Sequence, residues 1–63
     1  MQSVNELLTI ALEKGASDIY YLPSPQGYLI RLWVPTGLVT IAERDSKRGQ
    51  QEINYLKFMA GMN

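Results

Sequence analysis

Sixty-three residues, with six basic and six acidic side chains in balance, make at most one small domain. A chain this short buries only about 60% of the surface it exposes when unfolded, and below roughly 70–80 residues a fold usually needs a disulfide, a metal or a partner. The absence of cysteine and histidine removes disulfides, the usual zinc and haem ligand sets and the Ser-His and Cys-His nucleophile pairs, and zero net charge argues against a dedicated nucleic-acid surface.

Ser3 to Lys14 predicts an amphipathic helix, because Val4, Leu7, Leu8, Ala11 and Leu12 recur at three- and four-residue spacing. Ser3 and Glu6 form the S-x-x-E pattern of a capping box, and Gly15 is placed to take the left-handed conformation that ends helices. Ile19 to Leu22 reads as a short strand closed by Pro23. Pro23-Ser24-Pro25-Gln26-Gly27 is dense in turn formers and reads as a hairpin loop. Tyr28 to Val34 is the strongest strand pattern. Its alternation puts Tyr28, Ile30, Leu32 and Val34 on a core face, with Leu29, Arg31 and Trp33 on the other.

Pro35-Thr36-Gly37 is a second turn and Leu38 to Glu43 a third strand. Asp45 or Ser46 caps a last helix that runs to about Ala60, with Gly61 as its stop. Ile53, Leu56, Met59 and Ala60 supply its apolar stripe, with Tyr55 at the margin. Gly49 is expected to weaken the first turn by roughly 1 kcal/mol relative to alanine. Two short connections in succession imply antiparallel pairing, since parallel strands need a crossover. The expected fold is α+β in the order α-β-β-β-α, a small antiparallel three-stranded meander packed with two helices. The third strand's outer edge has no partner in the chain, which predicts self-association. No apolar run approaches the roughly 20 residues of a membrane span, and the N-terminus has no signal-peptide pattern, so a soluble cytoplasmic chain is expected.

Little here points to catalysis. Asp18, Glu43, Asp45 and Glu52 are scattered acids at no spacing suited to acid–base work or a metal cage. The G-x-x-x-x-G-K-[ST] and G-x-G-x-x-G loops are absent. No catalytic residue, no metal site and no enzymatic activity are expected of this chain by itself. Arg31 and Trp33 share one strand face and have two roles open to them. Trp33 can pack under a helix with the Arg31 stem at its rim, the commoner role in a domain with so few large side chains, or the pair can form an adhesive surface. Tyr20 and Tyr21 point to opposite faces, one into the core with its hydroxyl on a rim partner, the other exposed as a candidate contact. Lys47-Arg48, with Arg44 nearby, reads as a solvated helix start rather than a phosphate site. Asp18, just past a helix stop, is placed to bond the backbone N–H groups of the turn and fix the angle between helix and strand.

Three stretches together resemble the secretion-type ATPases that drive type II secretion, type IV pili and the competence pseudopilus. Gly15-Ala16-Ser17-Asp18-Ile19-Tyr20 resembles the family's G-A-S-D-[IVL]-H segment. Tyr28 to Gly37, with Arg31 inside it, resembles the arginine-bearing strand that closes on a glycine. Leu56 to Asn63, ending Lys57-Phe58-Met59-Ala60-Gly61-Met62-Asn63, resembles its K-x-x-A-G-M-[DN] helix end. Within the family the pattern is most similar to the competence (DNA-uptake) branch of Gram-positive bacteria. Tyr20 stands where the family has histidine, Trp33 where it has a second arginine, and Pro35-Thr36-Gly37 where it has an aspartate-glycine turn.

The resemblance implies that residues 1–63 are part of a PAS-like N-terminal domain, with the nucleotide-binding core absent from this piece. It implies no cofactor in the piece itself, and ATP and Mg for the full-length parent, which Arg31 alone would be left to approach. It also implies a hexameric parent, contact with the parent's own C-terminal ATPase domain and with inner-membrane pilus or secretion assembly proteins, no direct nucleic acid, and a cytoplasmic place peripheral to the membrane. The structural signature would be Gly15, Ala16, Ser17, Asp18, Gly37 and Gly61, with Trp33 and Tyr20 as interface candidates. The alternative is an independent protein-binding module that uses the Arg31/Trp33 face or the open strand edge.

Overall fold

Ser3 caps the first helix: its hydroxyl accepts from the backbone N–H of Glu6 at 3.2 Å. In the computed structural model, residues 3–61 are described. Met62 and Asn63, the end of the third resemblance segment, lie outside the described residues. Helix α1 spans Val4–Glu13, followed by strands β1 (Asp18–Ser24), β2 (Gly27–Val34) and β3 (Gly37–Arg44) and helix α2 (Ser46–Met59). The α+β order α-β-β-β-α is thus the one read from the sequence.

The end of α1 is a Schellman motif. Gly15 adopts φ 67°, its N–H bonds the Leu12 carbonyl at 3.1 Å, and the Ala16 N–H reaches back to Ala11 at 2.9 Å. Ala16 then packs beside Ala11 in the core cluster. The sheet-facing side of α1 is narrower than the sequence stripe: Leu7 and Ala11 are buried and Ile10 packs against the core, whereas Leu12 is 82% exposed. Leu8 and Leu12 sit one residue, or about 100°, round from that contact line, which turns them to the side of the helix.

The strands are longer than expected and the turns shorter. Pro23 and Ser24 pair with Tyr28 and Gly27, so the first turn contains only Pro25-Gln26. A proline is tolerated there because β1 is an edge strand. Gly37 pairs with Val34 and opens β3, leaving Pro35-Thr36 as the second turn. The sheet order is β1-β2-β3, both pairs antiparallel, so β1 as well as β3 presents an unpaired outer edge among the described residues.

Both helices cover the same sheet face. Ile30 and Leu32 of the central strand are fully buried and Val34 nearly so, and Ile10, Ala16, Ile19, Val39 and Ile41 close around Ala11, Leu32 and Val34. Full burial of a side chain such as Ile30 or Leu32 contributes about 1.5–3 kcal/mol by removing it from water. A β-bulge decides what the end of β3 does. Arg31 pairs with Thr40 but Ile30 pairs with Ala42, leaving Ile41 as the extra residue. The slip reverses the alternation beyond it, so that Arg44, paired with Tyr28, faces the helices.

Helix α2 is capped by Asp45, whose carboxylate accepts from the Arg48 N–H at 2.7 Å. Its sheet-facing line is Gly49, Glu52, Ile53 and Leu56, while Met59 is 64% exposed and Ala60 is exposed. A search for apolar side chains alone passes over the first two of these and extends the stripe too far. Gly49, expected to weaken the helix start, has a packing role there. A Cβ there would run into the Tyr28 ring, so the missing side chain is what lets α2 lie close to β2.

Candidate functional site

The helix-covered face holds a polar cluster that the sequence reading missed. Glu52 is 5% exposed. One carboxylate oxygen accepts from the Tyr21 hydroxyl at 2.7 Å, and the other takes Arg44 Nε at 2.8 Å and Arg48 Nε at 3.0 Å. Tyr21 in turn packs edge-on to Tyr28, with ring centroids 6.5 Å apart, and the Tyr28 hydroxyl donates to Gln50 at 3.1 Å. Glu52 is therefore no scattered acid, and Arg44 and Arg48 are no solvated cluster: the Arg44 side chain is 7% exposed. Burial works against the charged carboxylate of Glu52. The hydrogen bonds from Tyr21, Arg44 and Arg48 outweigh it and hold the pKa below its ordinary value. Burial first, then the bond to Glu52, pushes the Tyr21 phenol well above its ordinary range. Every buried polar side-chain atom among the described residues has a partner. The cluster ties β1, β3 and α2 together.

The opposite sheet face carries no helix. Its side chains form three cross-strand rows. The middle row is Tyr20, Arg31 and Thr40; one flanking row is Asp18, Trp33 and Leu38, and the other is Leu22, Leu29 and Glu43. Trp33 is half exposed at 50%, and Tyr20, Leu22 and Leu38 are each exposed to a similar or slightly smaller degree. The expected burial of Trp33 under a helix is thus corrected, because both helices lie on the other side of the sheet. Arg31 sits at the centre of the face with its stem half-buried, and its Nε donates to Thr40 Oγ1 at 3.0 Å. That bond holds the guanidinium along the middle row through Nε.

Apart from Asp18, which ends a flanking row, the signature residues lie off this face. Gly15 and Ala16 end α1. The Ser17 N–H bonds the Trp33 carbonyl at 2.9 Å, which fastens the junction to β2. Asp18 does not lock the turn through backbone N–H groups as expected. It opens β1, and its carboxylate accepts from the Ser17 hydroxyl at 3.0 Å. Gly37 opens β3 and Gly61 follows the α2 C-cap with φ 73°. Tyr20 and Trp33, the interface candidates, do lie together on the open face with Arg31. Tyr21 is the inward tyrosine, bonded to Glu52, and Tyr20 the exposed one.

Among the described residues, no three His, Cys, Asp or Glu side chains converge to hold a metal ion, and no helix is long and apolar enough to cross a membrane. No protein-family model matches the chain, and no solved structure matches it. The chain is similar to Competence protein ComGA of Streptococcus pneumoniae, with 33% identity over 58 residues, which cover 92% of this chain. It spans 18% of that relative's length.

Proposed function

We propose that this chain is the N-terminal interaction domain of a secretion-type ATPase that powers a competence pseudopilus for DNA uptake. The observation that carries the reading is the similarity to a competence protein along nearly the whole of this chain. The order of the Gly15–Tyr20, Tyr28–Gly37 and Leu56–Asn63 segments supports it. In this reading ATP and Mg belong to a core domain elsewhere in the parent, and this chain contributes no step of hydrolysis. Its work is mechanical and adhesive, bearing on its own core domain, on neighbouring copies and on assembly proteins at the inner face of the membrane. Arg31 offers a guanidinium on an exposed face, which is suited to an anionic group brought from outside. The sequence holds no G-x-x-x-x-G-K-[ST] loop, so nucleotide would be held by the core and only touched from here.

The test is the reading frame that encodes the chain. It is expected to continue in frame from Asn63 to a G-x-x-x-x-G-K-[ST] loop, with the phosphate-binding backbone such a loop supplies. A stop codon directly after Asn63 would overturn the reading.

A further inference from the structure

We infer that the helix-free sheet face is a docking surface for one amphipathic helix of another protein, a helix that sets a carboxylate on Arg31 amid apolar side chains. The surface stands apart from the competence reading and does not depend on it. Its layout selects the occupant. An apolar band runs across the three rows from Leu38 and Trp33 to Leu29 and Leu22, with Arg31 at its middle and Tyr20 beside it. The two remaining corners, diagonally opposite, are held by the acids Asp18 and Glu43. The charge pattern is therefore negative, positive, negative across an apolar strip. Its complement is a helix with one Asp or Glu between Leu, Ile or aromatic side chains, and with Lys or Arg on both flanks. Three strands span about 14 Å, room for a single helix about 10 Å across.

The same pattern argues against a second copy as the occupant. Two copies stacked face to face about a two-fold axis set Arg31 against Arg31. Arg31 is suited to a carboxylate because its planar fork keeps terminal donors to spare while Nε is held by Thr40.

Trp33 is the sole tryptophan and shares the face with Arg31, so its fluorescence reports on the surface without a label. The experiment titrates the chain with a helical peptide of about 15 residues that carries a leucine stripe, a central Glu and flanking lysines. A second peptide has that Glu replaced by Lys. The first is expected to saturate a blue shift of Trp33 emission and to bind at least about tenfold more tightly than the second. In the Arg31→Glu chain the preference reverses. If circular dichroism shows that variant unfolded, Arg31→Gln takes its place and is expected to abolish the preference. Equal binding of both peptides, no response of Trp33 to either, or a preference untouched by substitution at Arg31 would overturn the inference. A blue shift that grows with chain concentration without peptide would assign the face to a second copy. One that saturates with ATP and is not competed by the Glu peptide would assign it to a nucleotide.

Discussion

Replacing Glu52 with alanine is expected to unfold much of the chain. Removing one member of a buried ion pair costs about 3–5 kcal/mol, because the partner charge is left without its counter-ion. Here the single carboxylate serves Arg44, Arg48 and Tyr21 together. At about 0.05–0.15 kcal/mol per residue, the whole chain holds only about 3–9 kcal/mol. Urea titration followed by circular dichroism should therefore show the transition of Glu52→Ala shifted to far lower denaturant or lost, and an unchanged midpoint would contradict the assignment. The pH dependence of the wild type follows from the same cluster. The folded Glu52 binds its proton less tightly than the unfolded one. Its contribution is complete above about pH 4.3, the ordinary glutamate value, and is lost as pH falls from there through the folded pKa. Tyr21 has the opposite sign. Its folded pKa is raised, so its contribution is complete below about pH 10 and is lost as pH climbs above that. Glu52→Gln should remove the acid contribution and Tyr21→Phe the alkaline one.

Gly27→Ala should be the most damaging glycine substitution in the chain. Gly27 has φ 144°, and a Cβ on it would meet the Arg44 carbonyl oxygen and the backbone of Asp45. Neither obstacle is the end of a flexible side chain that could swing aside. The first hairpin therefore packs directly on the β3–α2 junction, where Asp45 caps α2. Backbone strain alone costs about 1–3 kcal/mol, and displacement of the junction adds to it. Gly15→Ala makes the comparison sharp. Gly15 also has a positive φ, but nothing lies within 4 Å of the added atom, so only the left-handed penalty of about 1–2 kcal/mol remains. The urea midpoint of Gly27→Ala is expected well below that of Gly15→Ala, and an equal or higher midpoint would show that the hairpin does not press on the junction.

What could be read from the sequence was local. Ser3, Gly15 and Asp45 act through bonds within a few residues of themselves, so both helix starts and the first helix stop were legible. The alternation in Tyr28 to Val34 correctly gave the core face of β2. Trp33 was misjudged because composition says that a small domain needs its tryptophan, but not that both helices will cover one side of the sheet. Glu52 was missed because Tyr21 is 31 residues away in the chain. The one available signal was Arg48 four residues before it, a spacing that places the two side chains together on a helix. The bulge at Ile41 left no sequence mark, yet it alone turns Arg44 toward Glu52 rather than onto the open face. The G-A-S-D stretch, legible as a resemblance, has a plain structural content: a Schellman stop, a core alanine and a bond to the Trp33 carbonyl.

The two proposals taken together predict that the exposed Arg31 and Trp33 face is the working surface of a competence motor. The most direct measurement is natural transformation in the bacterium that carries the gene, with Arg31→Glu and Trp33→Ala introduced together at the chromosomal locus. Neither side chain is in the buried core, so the protein should accumulate normally on an immunoblot. The transformation frequency is predicted to fall by at least about tenfold, the size of effect expected when a central charge and an aromatic anchor are removed from an interface. Wild-type transformation at normal protein abundance would contradict the account.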